Sequence, residues 1–152
     1  MNKRFYIAYG SNLSVEAMSR RCPDAKVTGM AAIRDWKLTF RVHANIEPCE
    51  GRVVPVLIWE ISEADERNLD FYEGWPDYYR KEDLTVTMTD LDGKHPQEIT
   101  AMAYLMNEGH PFRTPMKGYY DILEEGYTRF GFNTHLLELA FEEAMEVEHD
   151  LS

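Results

Sequence analysis

The chain has 152 residues, the size of one ordinary domain, and is long enough to bury an apolar core without disulfides or metal. Its 27 acidic residues against 16 basic give a formal charge of -11, which works against phosphate-backbone binding and excludes nucleic acid as an expected partner. A hydrophobic fraction of 44% with 12% aromatics belongs to a folded protein rather than a disordered one.

At the start of the chain, Lys3 and Arg4 precede only a few apolar residues. That run is too short for a signal-peptide core or a membrane span, so a cytoplasmic protein with no membrane contact is expected. Phe5-Tyr6-Ile7-Ala8 reads as a short strand leading straight into Tyr9-Gly10-Ser11-Asn12-Leu13. Such a turn exposes backbone N–H groups in one direction, because Gly10 tolerates positive φ and neither Ser11 nor Asn12 shields the main chain. A nest of donors suits a carboxylate, a phosphate or a developing oxyanion. The same residues also make plain strand-to-helix connections, so the turn by itself leaves both readings open.

Ser14 caps a short helix with Glu16 in its first turn, and Pro23 stops it. Residues 26–33, 36–42 and 52–61 are rich in β-branched and aromatic side chains and predict three strands. A loop containing Asn45, Glu47, Pro48 and Gly51 is expected between the last two, and Pro55 argues for an edge or a bulge. Ser62-Glu63-Ala64-Asp65 opens a second helix in capping-box fashion, with Leu69 and Tyr72 on one face and an end near Gly74 and Pro76. Residues 79–89 alternate as a strand, Asp90-Leu91-Asp92-Gly93 supplies a hairpin turn, and 98–106 return as its partner. Residues 107–115, with Gly109, Pro111 and Pro115, read as a loop, followed by helices over 116–129 and 134–148. The acidic residues that crowd the last of these, such as Glu138, Glu142 and Glu146, form a solvated face. Strands first and helices last, with mainly antiparallel pairing, predict one α+β domain over 1–152 with a closed or strongly curled sheet.

Among candidate chemical groups, Glu73 ends an amphipathic helix between Tyr72 and Trp75. Aromatic neighbours would desolvate its carboxyl and raise its pKa, as a proton shuttle near neutral pH requires; a plain helix end in water is the alternative. The five histidines are scattered without metal-ligand spacing, and Cys22 and Cys49 form no Cys-x-x-Cys pair. No nucleophile elbow, Walker loop or dinucleotide fingerprint is present. Tyr119, Tyr120 and Tyr127 suit either a core or a hydrogen bond to a small polar ligand.

Four pieces in order carry a resemblance: Tyr9-Gly10-Ser11-Asn12-Leu13; Leu69-Asp70 with Tyr72-Glu73-Gly74, Pro76 and Tyr79; Tyr104-Leu105-Met106; and Tyr119 with Ile122, Gly126 and Tyr127. Together they resemble the γ-glutamylcyclotransferase-like (AIG2-like) family, in the flavour of a compact bacterial branch that includes an enzyme removing a γ-glutamyl group from a butirosin precursor. The resemblance implies a mixed α+β fold around a β-barrel. It implies release of 5-oxoproline from γ-glutamyl amides or amines by attack of the substrate's own α-amino group, with no metal or organic cofactor. Glu73 is then the general acid/base, and Gly10, Ser11, Asn12 and Leu13 supply main-chain donors. Tyr9, Tyr79 and Tyr119 become pocket tyrosines, with Tyr78 as runner-up to Tyr79. Pro55 departs from the better-known eukaryotic pattern of the family, in which a glycine is expected at that place in the strand. The leaving amine and the oligomeric state, a homodimer included, stay open, as does a binding module that holds a γ-glutamyl ligand without turnover.

Overall fold

Five strands curl until the sheet meets itself as a closed barrel, in the order 3–8, 43–62, 26–41, 79–89 and 97–106. The structure, a computed structural model, describes residues 3–150. The strands are β1 Lys3–Ala8, β2 Lys26–Arg41, β3 His43–Ser62, β4 Tyr79–Thr89 and β5 Gln97–Met106. Around them lie a 3-10 turn at Ser11–Leu13 and four helices: α1 Val15–Arg21, α2 Glu63–Glu73, α3 Lys117–Phe130 and α4 His135–Asp150. The result is the expected α+β barrel with flanking helices. All neighbours are antiparallel except β1 and β5, whose parallel pairing of Phe5 with Ala101 and Tyr6 with Met102 closes the barrel. Among the described residues, no helix is long and apolar enough to cross a membrane.

The expected division of residues 26–61 into three strands is replaced by two long ones. The strands expected over 26–33 and 36–42 merge into one, β2, which ends at Arg41 and is bent by a bulge at Asp35, whose φ of 64° is held while its carboxylate accepts the Gly51 N–H at 3.0 Å. Asn45, Glu47 and Pro48, expected in a loop, lie within β3 and pair with Thr39, Lys37 and Trp36. The chain reverses instead at Val42, with φ at 70°, a costly conformation for a β-branched residue. It is secured by Val42 N–H on the Arg113 carbonyl and Arg113 N–H on the Phe40 carbonyl. Pro55 sits opposite Ala32 and beyond the β1 pairing, which reaches only Leu57, so its missing N–H faces no ladder.

Val56, Leu57 and Ile58 are all fully buried in succession, because β3 is covered on both faces near its centre. Leu13 is equally buried and packs under α3 at Gly126, where a Cβ would come within 2.7 Å of the Leu13 Cβ. That close approach fixes α3 against the 3-10 turn; burying a leucine contributes about 1.5–3 kcal/mol.

The ends of α2 are set by different means. Ser62 Oγ accepts the Asp65 N–H and the Asp65 carboxylate accepts the Ser62 N–H, a complete capping box. At the other end Gly74 adopts the left-handed conformation and stops the helix. Lys81 on β4 reaches Glu66 and Asp70, and Tyr104 on β5 donates to Asp70 at 2.6 Å, which ties the last turn of α2 to the barrel.

Candidate active site

A cavity of about 250 Å³ opens where β1 runs out into the 3-10 turn. Tyr6, Tyr9, Gly10, Ser11 and Asn12 form one wall. Tyr72 and Glu73 from α2, followed by Tyr78 and Tyr79, form another part of the lining, which meets the first where Ser11 Oγ lies 3.2 Å from the Tyr72 hydroxyl. His43 and Ala44 from β3, Tyr104 from β5 and Tyr119 from α3 complete the lining. Among the described residues, no group of three His, Cys, Asp or Glu side chains is placed to hold a metal ion.

The turn works by a different route from the one its glycine suggests. Gly10 has φ at -124°, so no left-handed conformation is used. What matters is space: a Cβ on Gly10 would stand 3.2 Å from the Tyr119 hydroxyl and 3.4 Å from the Ala44 Cβ. The N–H groups of Gly10, Ser11 and Asn12 find no acceptor among the described residues, as the opening donors of a helical turn. Leu13 differs from its expected role. Its N–H is spent on the Gly10 carbonyl at 3.0 Å and its side chain is buried beneath α3, so it supports the turn from below.

Glu73, the last residue of α2, lines the same cavity as those donors. Part of the residue reaches the surface, yet no described residue donates a hydrogen bond to its carboxylate, and burial is the largest influence on it. Burial pushes the carboxyl up to about 7, against an opposing pull from the Arg21 guanidinium. The C-terminal end of a helix dipole disfavours a carboxylate too.

The tyrosines divide by how their hydroxyl protons are used. Tyr9 donates to the Tyr104 carbonyl at 2.6 Å and Tyr79 to the Ala44 carbonyl at 2.8 Å, so both are structural donors whose rings line the wall. Tyr119 accepts the Ala44 N–H at 3.0 Å and keeps its proton. Burial raises the pKa of all three, as it does for Tyr6 and Tyr104, which leaves neutral hydroxyls. Tyr78 lines the cavity beside Tyr79, because it precedes β4 in the turn held by Tyr78 N–H on the Gly74 carbonyl and is free of strand alternation. Its hydroxyl meets His43 Nδ1 at 3.1 Å, and burial lowers the pKa of that imidazole.

Sequence reading did not place Tyr6, His43 or Ala44 in the site. Tyr6 and Tyr9 are three apart, which on a regular strand sends them to opposite faces. Tyr9 lies past the strand end, so both reach the cavity. His43 and Ala44 arrive by way of the unannounced reversal at Val42.

A family profile described as "Gamma-glutamyl cyclotransferase, AIG2-like" matches residues 6–129. A protein of Mus musculus named "Gamma-glutamylcyclotransferase" is 30% identical over 113 residues, covering 66% of this chain and 58% of the mouse protein. Among solved structures, one named "Gamma-glutamyl cyclotransferase" matches with a TM-score of 0.73 at 27% identity, over 96% of this chain and 88% of the other. An uncharacterized protein from Homo sapiens matches at 0.68 with 26% identity, over 97% and 88%. YkqA from Bacillus subtilis shares the fold, at 0.73 with 16% identity, over 97% of this chain and 56% of its own.

Proposed function

The chain belongs to the AIG2-like γ-glutamyl cyclotransferase family, and on that premise we propose that its cavity releases 5-oxoproline from a γ-glutamyl amide or amine with Glu73 as general acid and base. The observation that carries this reading is the Glu73 carboxyl, without a hydrogen-bond donor among the described residues, raised to about 7 and lining the same small cavity as the uncommitted main-chain donors of Gly10, Ser11 and Asn12.

The substrate's α-ammonium must lose a proton before it can attack. Glu73 in its carboxylate form takes that proton, and a pKa near neutrality makes the exchange close to balanced in both directions. The freed amine attacks the γ-carbonyl carbon and closes a five-membered ring, with the folded chain supplying the proximity advantage. The oxyanion formed there, or the substrate's α-carboxylate, is met by the N–H groups of Gly10, Ser11 and Asn12, which need no reorganisation. The bond to the leaving amine then breaks as the Glu73 carboxyl returns its proton to that nitrogen, and the emptied carboxylate takes the second proton from the ring nitrogen, which leaves the neutral lactam, before passing it to the released amine or to water. Rings of Tyr9, Tyr79 and Tyr119 shape the pocket around the glutamyl chain. Small-molecule metabolism in the cytoplasm is part of the same reading.

Incubation with a panel of γ-glutamyl-amino acids and γ-glutamylamines is expected to release 5-oxoproline from at least one member. A folded protein that binds such compounds and turns none over contradicts the proposal.

A further inference from the structure

One layer behind the cavity lies Arg21, the last residue of α1. Its Nη1 donates to Asn12 Oδ1, and its guanidinium carbon stands 3.6 Å over the Tyr72 ring. The Arg21 carbonyl accepts from Asn68 Nδ2 at 2.9 Å, which fixes the backbone against α2. A guanidinium can only donate, so the Asn12 carboxamide must turn its oxygen toward Arg21 and its NH2 the other way. That NH2 donates to the Tyr6 hydroxyl at 2.8 Å. Asn12 is held further by its main-chain carbonyl, which accepts from Trp59 Nε1 at 3.1 Å.

The consequence falls on Tyr6. Its oxygen is committed as an acceptor, so its own proton points elsewhere, and no described residue accepts that proton. Tyr6 is 3% exposed and lines the cavity. Tyr9, Tyr79 and Tyr104, by contrast, spend their protons on a carbonyl or on Asp70.

We infer that Arg21 is a positioning residue and Tyr6 a catalytic hydroxyl of the proposed cyclisation: Arg21, through Asn12, turns the Tyr6 O–H into the cavity, where it donates to the oxyanion at the γ-carbonyl. The inference rests on the proposed function. A charged donor on the amide oxygen strengthens the amide N–H as a donor, and that in turn strengthens the phenolic O–H it meets. Burial and the Glu73 charge keep Tyr6 protonated, as a donor must be.

Arg21 also sets the charge environment of Glu73. Near the carboxylate are Tyr6 from β1, Tyr9 just past its end, Tyr78 from the turn before β4, Tyr79 from β4, and Tyr119 from α3. Tyr72, His43 and Tyr104 share the cavity, and the imidazole is pushed by burial toward its neutral form. Arg21 is the cation that pulls the carboxyl down.

The test compares Tyr6→Phe, Arg21→Met, Arg21→Lys and the double variant Tyr6→Phe with Arg21→Met, using a γ-glutamyl compound that the wild type converts. Thermal unfolding checks that each is folded. At a pH above the acid limb, Tyr6→Phe is expected to lower kcat about 100-fold with KM nearly unchanged, the usual cost of one oxyanion donor. Arg21→Met is expected to lower kcat about tenfold, yet to cost little more once Tyr6 is already Phe. It also moves the acid limb of kcat/KM upward, and Arg21→Lys brings the limb back. In 13C NMR, which needs no turnover, the Glu73 carboxyl titrates at higher pH in Arg21→Met than in the wild type. If Arg21→Met does not fold, Tyr6→Phe and Arg21→Lys still decide: a Tyr6→Phe enzyme within threefold of wild-type kcat overturns the inference. Independent, multiplying effects of Tyr6 and Arg21 overturn it too. A wild type that releases no 5-oxoproline overturns instead the reading of function on which Tyr6 depends.

Discussion

Of the acidic residues on helix α2, Asp65 near its start and Glu73 at its end sit in opposite surroundings. Asp65 is 1% exposed and accepts hydrogen bonds from the Ser62 N–H at 3.2 Å and the Asp24 N–H at 3.3 Å. It lies in the first turn, where the helix dipole favours a negative charge. Glu73 closes the same helix at its unfavourable end, with no donor among the described residues and its carboxyl pushed to about 7. A carboxylate satisfied in this way holds a structure together. One left unsatisfied is costly to charge, and readiness to take and return a proton comes from that cost.

The largest effect that separates the two ends is on turnover. Glu73→Gln is expected to lower kcat by about 1,000-fold, within the usual range for removing an acid/base group, measured as 5-oxoproline release. Asp65→Ala is expected to leave kcat per folded molecule unchanged.

Stability should reverse that ranking, and the sign at Glu73 follows from its raised pKa. Between the ordinary value of 4.5 and about 7 the folded protein keeps a proton that the unfolded chain has released. The group's contribution to stability therefore falls as pH rises through that window and is level below and above it. Compared with the wild type, Glu73→Gln gains stability between pH 4.5 and 7, by up to about 3 kcal/mol. Denaturant unfolding across pH 4 to 8 measures this, and a difference that stays flat breaks the comparison. Asp65→Ala should lose about 2 kcal/mol at neutral pH through the missing cap and the stranded donors.

A smaller effect probes the turn that shares the cavity with Glu73. Ser11 Oγ meets the Tyr72 hydroxyl at 3.2 Å, and both residues line the cavity. Ser11→Ala should raise KM a few-fold, about 1 kcal/mol, with kcat little changed. A loss of kcat as large as that of Glu73→Gln would move the chemistry away from α2.

Both ends of α2 were legible in the sequence, because each is written in adjacent residues: Ser62 and Asp65 for the box, Glu73 and Gly74 for the stop. The turn at Gly10 to Asn12 was legible for the same reason, although the glycine serves close approach rather than positive φ. What stayed hidden depends on distant partners. No turn residue marks Val42, whose reversal is held by Arg113, so the placement of His43 and Ala44 could not be read locally. Leu13 looked like part of the donor turn, but Gly126, far along the chain, draws it into the core. Arg21 reads as an ordinary cation at a helix C-terminus, and its link through Asn12 to Tyr6 exists only once α1 has folded back against the 3-10 turn and α2.

The most direct test is the titration of the Glu73 carboxyl itself, followed by 13C NMR in protein labelled at glutamate and assigned by the signal missing from Glu73→Gln. A midpoint near 7 in the free protein is the predicted result. A midpoint near 4.5, the value of a solvated glutamate, would contradict the assignment of Glu73 as the proton carrier of the site.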